Sequence, residues 1–599
     1  MSIKSFSNRL PLALFVVFAA YVLVVMFPDM LYTAQDRNEF FCTGQFFRQS
    51  LHEPFGLMAY LGGYLTQYFY HPFLGAGVLL VLWCAIYFVT LEVVRPKGGD
   101  NTVLQRWLAV LPVGCLLGSI TQVGYWIYIL TMPGYWFSQT LAYLCVLLML
   151  WGARITPKAY RAMWYTLGSI VCFHFIGIYS YFFAICLFMM QIADKPEDRT
   201  HWWQQAGGLL AAIIYPLGFV RICLPELNFR HAILGGLPYF ESNADSTLHN
   251  SYPFILMTLL TLVLLYSVRW VETAKPKKLT SWLTAALTAV VLVGGVLMVS
   301  FRDYNYQAEM RMTQAALDDD WQTIMQEQQK AKQPSRTMVV LNNIALFNVG
   351  ELGNRAFQQG CSGLNIYNPD SLNVNLMHIA SPLGYYNHGK VQYAIRWCME
   401  NTGAYGMSPF FLKMNMRCAL ATGEKRLYDR YQKLLKHTSF HGDWRPVPTT
   451  PIVLELQRSF TDVIDSDNDD CERYLIENFS LAKGSSSKFV QELNLFYCML
   501  YRNPMMFWDA FYAYARHTNG ANLPLHYQEA YVIMMQNYKV KLPFDVQITP
   551  SVQQNYQAYG QAVGRLQQQG LTEEQVGEAL RNDWHHTYWW YLMYGRKTY

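Results

Sequence analysis

The chain of 599 residues is 52% hydrophobic, 16% aromatic and only 15% charged, with a formal net charge of +5. An ordinary soluble domain carries about 25% charged residues, so an all-soluble chain is excluded, as are disordered, collagenous and coiled-coil chains. A mean hydropathy of +0.08 is too low for a chain embedded throughout. So small a charge on so long a chain implies no nucleic-acid partner.

Two unlike halves reconcile these figures. A bilayer-spanning helix takes about 20 mostly apolar residues, because no water is present to satisfy an exposed backbone. Such runs recur up to Ser300 and then stop: Leu10 to Pro28, His71 to Val94, Trp107 to Val123, Phe137 to Trp151, Tyr165 to Ile192, Gly207 to Cys223, Phe254 to Val268 and Ser281 to Ser300. Tyr165 to Ile192 is long for one crossing, and Gly177-Ile178-Tyr179-Ser180 offers a turn at its middle. As a hairpin it brings the expected count to about nine spans. The first run lacks a small-x-small cleavage site and reads as an uncleaved anchor.

Basic residues mark the cytoplasmic side. With Lys4 and Arg9 inside, the inner loops carry Arg95, Lys97 and Arg106, then Arg154, Lys158 and Arg161, then Lys195 and Arg199, then Arg269, Lys275, Lys277 and Lys278. The outer loops keep only Arg37, Arg48, Arg221 and Arg230. This alternation places the region after Ser300 outside.

Two outer loops gather titratable groups. In the first, 29–70, a helix would put Asp36 and Glu39 on one face and Phe40, Phe41, Phe46 and Phe47 in an apolar stripe, as in an interfacial amphipathic helix. It ends with His52-Glu53-Pro54, and Leu57 to Tyr70 then reads as a second interfacial or re-entrant helix interrupted at Gly62 and Gly63. The second loop, 224–253, holds Glu226, Arg230, His231, Glu241, Asp245 and His249 around a Gly235-Gly236-Leu237-Pro238 turn, with Arg221 at its membrane edge. A cation at that edge suits the phosphate of a lipid carrier. His174, inside a span, reads as a hydrogen-bonded packing residue.

From Phe301 the apolar residues recur at ordinary helical spacing without sustained alternation, so the whole chain is expected to be all-α. Gly350, Gly389 and Gly423 each precede an apolar helical stripe and lie about 39 and 34 residues apart, near the tetratricopeptide (TPR) period. This resembles TPR-type helical hairpins over residues 320–440, although most signature Trp, Leu and Pro positions are missing. Gly lets the chain leave one helix, and each hairpin buries its stripe on the next. The acidic run Asp462 to Cys471 lacks the Gly and the terminal Glu of a calcium loop and reads as a solvated edge. The aromatic segment Trp584 to Tyr594 is expected to close a helical core rather than rest on the membrane. Five of the 12 Cys lie beyond Ser300, in no zinc-like spacing, and read as buried thiols.

No P-loop, GxSxG, HExxH or dinucleotide fingerprint is present. The arrangement of an early span, an outer loop with an acidic residue on interfacial helices, many further spans and a soluble outer half resembles the type C (GT-C) membrane glycosyltransferases. The resemblance covers the topology of residues 1–300 and one acidic patch; Asp36 is followed by Arg37 where the family more often pairs two acids. It implies a polyprenyl-phosphate-linked sugar donor, with Asp36 as the general base and Glu39 as its reserve. Arg221 and Arg230, with His231 and His52, would hold the leaving phosphate. A divalent cation is compatible with such a site, and no motif specifies a metal. The plan also resembles that of bacterial membrane proteins with a helical-repeat half, which implies the inner membrane and the cell envelope. The expected architecture is a polytopic domain at 1–300 and an extracytoplasmic TPR-like domain at 301–599. The competing functional reading is a non-catalytic scaffold, anchored in the lipid bilayer, whose helical half binds envelope proteins.

Overall fold

The structure is a computed structural model. It describes residues 3–96, 99–121, 133–157, 160–168, 172–193, 199–237, 246–273, 278–332, 334–358, 376–459, 485–502, 504–538 and 540–595, and the statements below concern these residues. The acidic run 462–471, Cys361, Cys471, Glu241, Asp245 and Lys97, Lys158, Lys195, Lys275 and Lys277 lie outside them. The described chain is helical throughout and contains no strand.

The first half comprises α1 (Ile3–Tyr21), α2 (Pro28–Asp36), α3 (Gly44–Ser50), α4 (Gly56–Thr66), α5 (Pro72–Val93), α6 (Val103–Leu108), α7 (Leu111–Thr121), α8 (Tyr135–Ile155), α9 (Tyr179–Ala193), α10 (Arg199–Cys223), α11 (Ser246–Thr273) and α12 (Lys278–Val299), with shorter helical turns between some of them. Five helical stretches are long and apolar enough to cross a bilayer: Arg9–Met26, Pro72–Val93, Val103–Thr121, Tyr135–Ile155 and Trp203–Cys223. A sixth arises if Ala285–Val299 is counted together with Tyr304–Leu317, to which it is joined at a 62° bend. Of the nine expected spans, five or six meet the length and composition of a crossing among the described residues. Tyr179–Ile192 and Pro253–Ser267 are two further apolar helical stretches among the described residues, the second lying within the 28-residue helix α11. The chain is a helical membrane protein. The expected turn is present at Gly177, whose φ of +54° suits glycine.

Loop contacts sort to two ends of this bundle. At one end Phe301 N–H donates to the Thr121 carbonyl, Phe55 N–H to His174 and Ile178 N–H to Gly235. At the other, Arg154 donates to the Val93 and Arg95 carbonyls, and Arg106 to Asn101. The basic residues Arg95, Arg106 and Arg154 thus share one end, as the charge alternation requires.

Two expectations for the first outer loop are corrected. Asp36 and Glu39 do not share a helical face, because α2 ends at Asp36, with Arg37 as its C-cap. The chain then runs without helix until Thr43 caps α3 through the Phe46 N–H. Gly62 and Gly63 do not interrupt α4 either. They let it approach α8: a Cβ at Gly62 would lie 1.9 Å from Ser138 Oγ and 2.8 Å from the Gly134 carbonyl.

The second half opens with α13 (Tyr304–Leu317), capped by Asp303. This helix belongs to two hydrophobic cores. Tyr306 and Met310, four apart, pack with the membrane helices, while Ala308, Met312, Ala315 and Ala316 face the core of the second half. Then follow α14 (Trp321–Lys330), α15 (Arg336–Asn348), α16 (Leu376–Asn387), α17 (Val391–Tyr405), α18 (Pro409–Thr422) and α19 (Lys425–Leu435). Successive helices pack in pairs, α14 on α15, α16 on α17 and α18 on α19, with α17 also on α18. The three spaced glycines, Gly350, Gly389 and Gly423, all turn with φ near +75°. The aromatic segment closes a core as expected. Tyr588 and Trp589 are fully buried, beside Phe357 and Tyr559, and Trp589 Nε1 donates to the Glu529 carbonyl. Cys398, Cys418 and Cys498 are buried thiols in no disulfide among the described residues.

Candidate functional site

The segment 29–70 docks into the second half. Gln35, Asp36, Arg37 and Asn38 are four consecutive polar residues, each at most 4% exposed. Charged side chains are almost never buried this deeply without partners. The partner of Asp36 is Lys413, in the middle of α18: Nζ donates to Oδ1 at 2.7 Å, with both side chains under 5% exposed. Arg37 lies over the Phe410 ring, 3.4 Å from its centroid. His441 Nε2 lies 2.7 Å from Gln35 Oε1, and Asn38 Nδ2 donates to the Gly63 carbonyl. Backbone contacts continue the seam: Cys42 N–H donates to the His437 carbonyl at 2.9 Å, and Ser439 N–H to Gln67 Oε1 at 2.6 Å. The Tyr70 and Phe440 rings stack 5.4 Å apart.

Burial pushes the Asp36 carboxyl up, but the Lys413 ammonium, with Arg37 beside it, outweighs that and holds it below the usual carboxylate range. Burial pushes His441 down to about 3, and Lys413 adds to the effect. His441 is therefore neutral, and its Nε2–H donates to Gln35. Burial lowers Arg37 to about 9 against the pull of Asp36, so it stays a cation at neutral pH. Glu39 is half-buried; burial raises its carboxyl, opposed by a hydrogen bond accepted from the Met407 N–H. It fits against Gly406, where a Cβ would come within 2.3 Å of its Oε2.

A second ionic cluster lies where α13 meets α2. Arg311 pairs with Asp29 of α2 and with Glu327 of α14, the latter at 2.7 Å. Glu327 also accepts from Lys330 at 2.7 Å and from the Tyr304 hydroxyl at 2.8 Å. Burial raises Glu327, but those three donors together hold it below its ordinary value.

The other residues singled out in the sequence lie apart from this seam. Arg221, Arg230 and His52 are exposed. Arg230 N–H is capped by Asn228 Oδ1, and His231 sits in the short helix Phe229–Ile233. Their loops meet each other rather than Asp36: Leu51 accepts from His174, and the Phe55 ring covers Gly236. His174 is the hydrogen-bonded packing residue expected. Lys413 and His441 escaped the sequence reading, which had named Arg37 only as an outer-loop cation beside Asp36. The signal was a lysine and an arginine inside the apolar run Phe410-Phe411-Leu412-Lys413-Met414-Asn415-Met416-Arg417, which demands buried counter-ions. Arg417 has its own in Asp319, at 2.8 Å. Among the described residues no three His, Cys, Asp or Glu side chains gather to hold a metal ion.

Apolar helices of spanning length, joined through a buried ionic seam to a stack of paired helices, define a helical membrane protein with a large non-membrane half. The chain belongs to the family of unknown function DUF6057, whose model matches residues 2–595. No curated protein and no solved structure matches it.

Proposed function

We propose that the protein is a non-catalytic scaffold of the bacterial inner membrane, whose TPR-like second half lies on the extracytoplasmic side and binds proteins of the envelope. The observation that carries this reading is the Asp36–Lys413 pair. The carboxylate that a transferase would use as a base is neutralised and 2% exposed, and abstracting a proton from an acceptor would first require breaking that pair. Glu39 is likewise engaged by the Met407 N–H. Both acids fix the helical half against the membrane half, as a rigid platform requires. The paired helices from α16 to α19, turning at Gly389 and Gly423, are the expected partner-binding surface.

The test is photo-crosslinking in cells from Gln392 and Arg426, both exposed on this stack. A discrete protein adduct is expected. Its absence, together with donor hydrolysis by the purified protein that disappears in Asp36→Asn, would replace the scaffold with a lipid-linked-sugar transferase.

A further inference from the structure

A cavity of about 540 Å³ lies at the basic end of the bundle, lined by Glu92, Arg95, Asp100, Trp151, Arg154 and Ile155 among others. Two candidate spans, α5 and α8, end beside it, at Val93 and Ile155. The cavity therefore sits at headgroup depth. Its apolar wall is the bilayer-side surface of α8, where Trp151 and Ile155 are 41% and 67% exposed. Trp favours this depth because its ring is amphipathic.

Among the described lining residues the charges are balanced, two guanidiniums against two carboxylates. Arg154 is fixed by donating to the Val93 and Arg95 carbonyls. Arg95 meets Glu92 at 3.6 Å and Asp100 at 3.4 Å, and all three side chains are at least 48% exposed. Ion pairs that long and that open hold weakly, so either partner is available to a ligand. A bare anion meets two carboxylates there, and a bare cation meets two guanidiniums. A ligand carrying both charges satisfies all four.

We propose that this cavity seats a phospholipid headgroup that carries a phosphate and a primary ammonium together, as in phosphatidylethanolamine. Arg95 and Arg154 receive the phosphate, for which the guanidinium fork is suited. Glu92 and Asp100 accept hydrogen bonds from the ammonium, which a quaternary choline nitrogen lacks the protons to make. Trp151 and Ile155 flank the glycerol and the upper acyl chains. This goes beyond the scaffold reading and stands whether or not the second half binds a partner.

Native mass spectrometry of the full-length protein, titrated in detergent with defined lipids, tests it. Phosphatidylethanolamine adducts should appear at concentrations about tenfold lower than phosphatidylglycerol or phosphatidylcholine adducts. The double variant Glu92→Gln/Asp100→Asn should reverse the order in favour of phosphatidylglycerol, and Arg95→Ala should weaken both. Millimolar inorganic phosphate should leave the adduct in place. Equal retention of the three lipids by the unmodified protein overturns the proposal without any variant. So does displacement by inorganic phosphate, which would make the cavity a simple anion site, or an unchanged lipid order in a folded double variant.

Discussion

Asp36, the last residue of α2, and Lys413, in the middle of α18, meet at 2.7 Å although 377 positions separate them in the chain. Each is nearly inaccessible, and each neutralises the other where neither charge is tolerated alone. Lys413→Met leaves Asp36 buried and unpaired, and is expected to cost roughly 3–5 kcal/mol. Adding Asp36→Asn should recover part of that loss. Unfolding in detergent, followed for both single variants and the double, measures it; additive losses would mean that the two groups do not interact.

Acid should loosen the fold well before the Asp36 carboxylate titrates. Burial holds His441 at about 3 and His388 at about 4, against an ordinary 6.5. Above pH 6.5 the folded and unfolded states are both neutral at these positions, and their contribution is complete. Between 6.5 and 4 the unfolded chain takes up protons that the folded chain refuses. Stability therefore falls with pH, by up to about 1.4 kcal/mol per unit for each histidine. Asp36 adds to the loss only lower, as pH drops from 3.8 through its depressed folded value. A shallower slope over pH 4–6.5 is expected for His388→Asn/His441→Gln; an unchanged slope would show that other groups set it.

Glu492 acts on the opposite side of the pH scale. Burial raises it to about 7, against the Lys488 charge and the Tyr527 hydroxyl. The folded protein keeps this group protonated where the unfolded chain has already released its proton, so it costs stability as pH rises from 4.5 to 7. Glu492→Gln should leave stability unchanged at pH 4 and raise it by on the order of 2–3 kcal/mol at pH 8. A variant less stable than the parent at pH 8 would contradict this sign.

Close approach of α4 to α8 depends on the missing side chain of Gly62. Gly62→Ala places a methyl against Ser138 and the Gly134 carbonyl, and is expected to destabilise by about 1–3 kcal/mol. Gly77→Ala serves as the control, since nothing lies within 4 Å of its Cβ position. Similar thermal shifts in the two variants would remove the packing argument.

Cys42 is a free, exposed thiol beside the seam. If the seam faces away from the cytoplasm, a membrane-impermeant maleimide should label it in intact spheroplasts in a Cys223→Ser background, which removes the other exposed thiol, and adding Cys42→Ser should lose that signal. Labelling that appears only after lysis would invert the orientation.

The all-helical character, the stop of long apolar runs at Ser300 and the gathering of Arg95, Arg106 and Arg154 at one end were legible in the sequence, because hydropathy and charge placement act locally. The glycine turns at 350, 389 and 423 were legible too, since backbone demand depends on the residue itself. The acid patch was visible as an unusual feature, but its partners were not. Nothing near Asp36 in the chain points to α18, and a carboxylate in an outer loop looks the same whether it faces water or a buried lysine. The expected shared face of Asp36 and Glu39 failed for a local reason: α2 ends at Asp36, where Arg37 and Asn38 turn toward tertiary partners.

The distance along the chain between the two halves of the ionic pair also orders events during biosynthesis. At a translation rate of about 5–20 residues per second, α2 leaves the ribosome roughly 20–75 s before α18. Throughout that interval the aspartate remains hydrated, with no counter-ion yet made, while the later membrane helices are still being inserted. Closure of the seam is thus a late docking step, and a nascent chain stalled before residue 413 would present the receiving surface of the membrane half open to any chaperone waiting there.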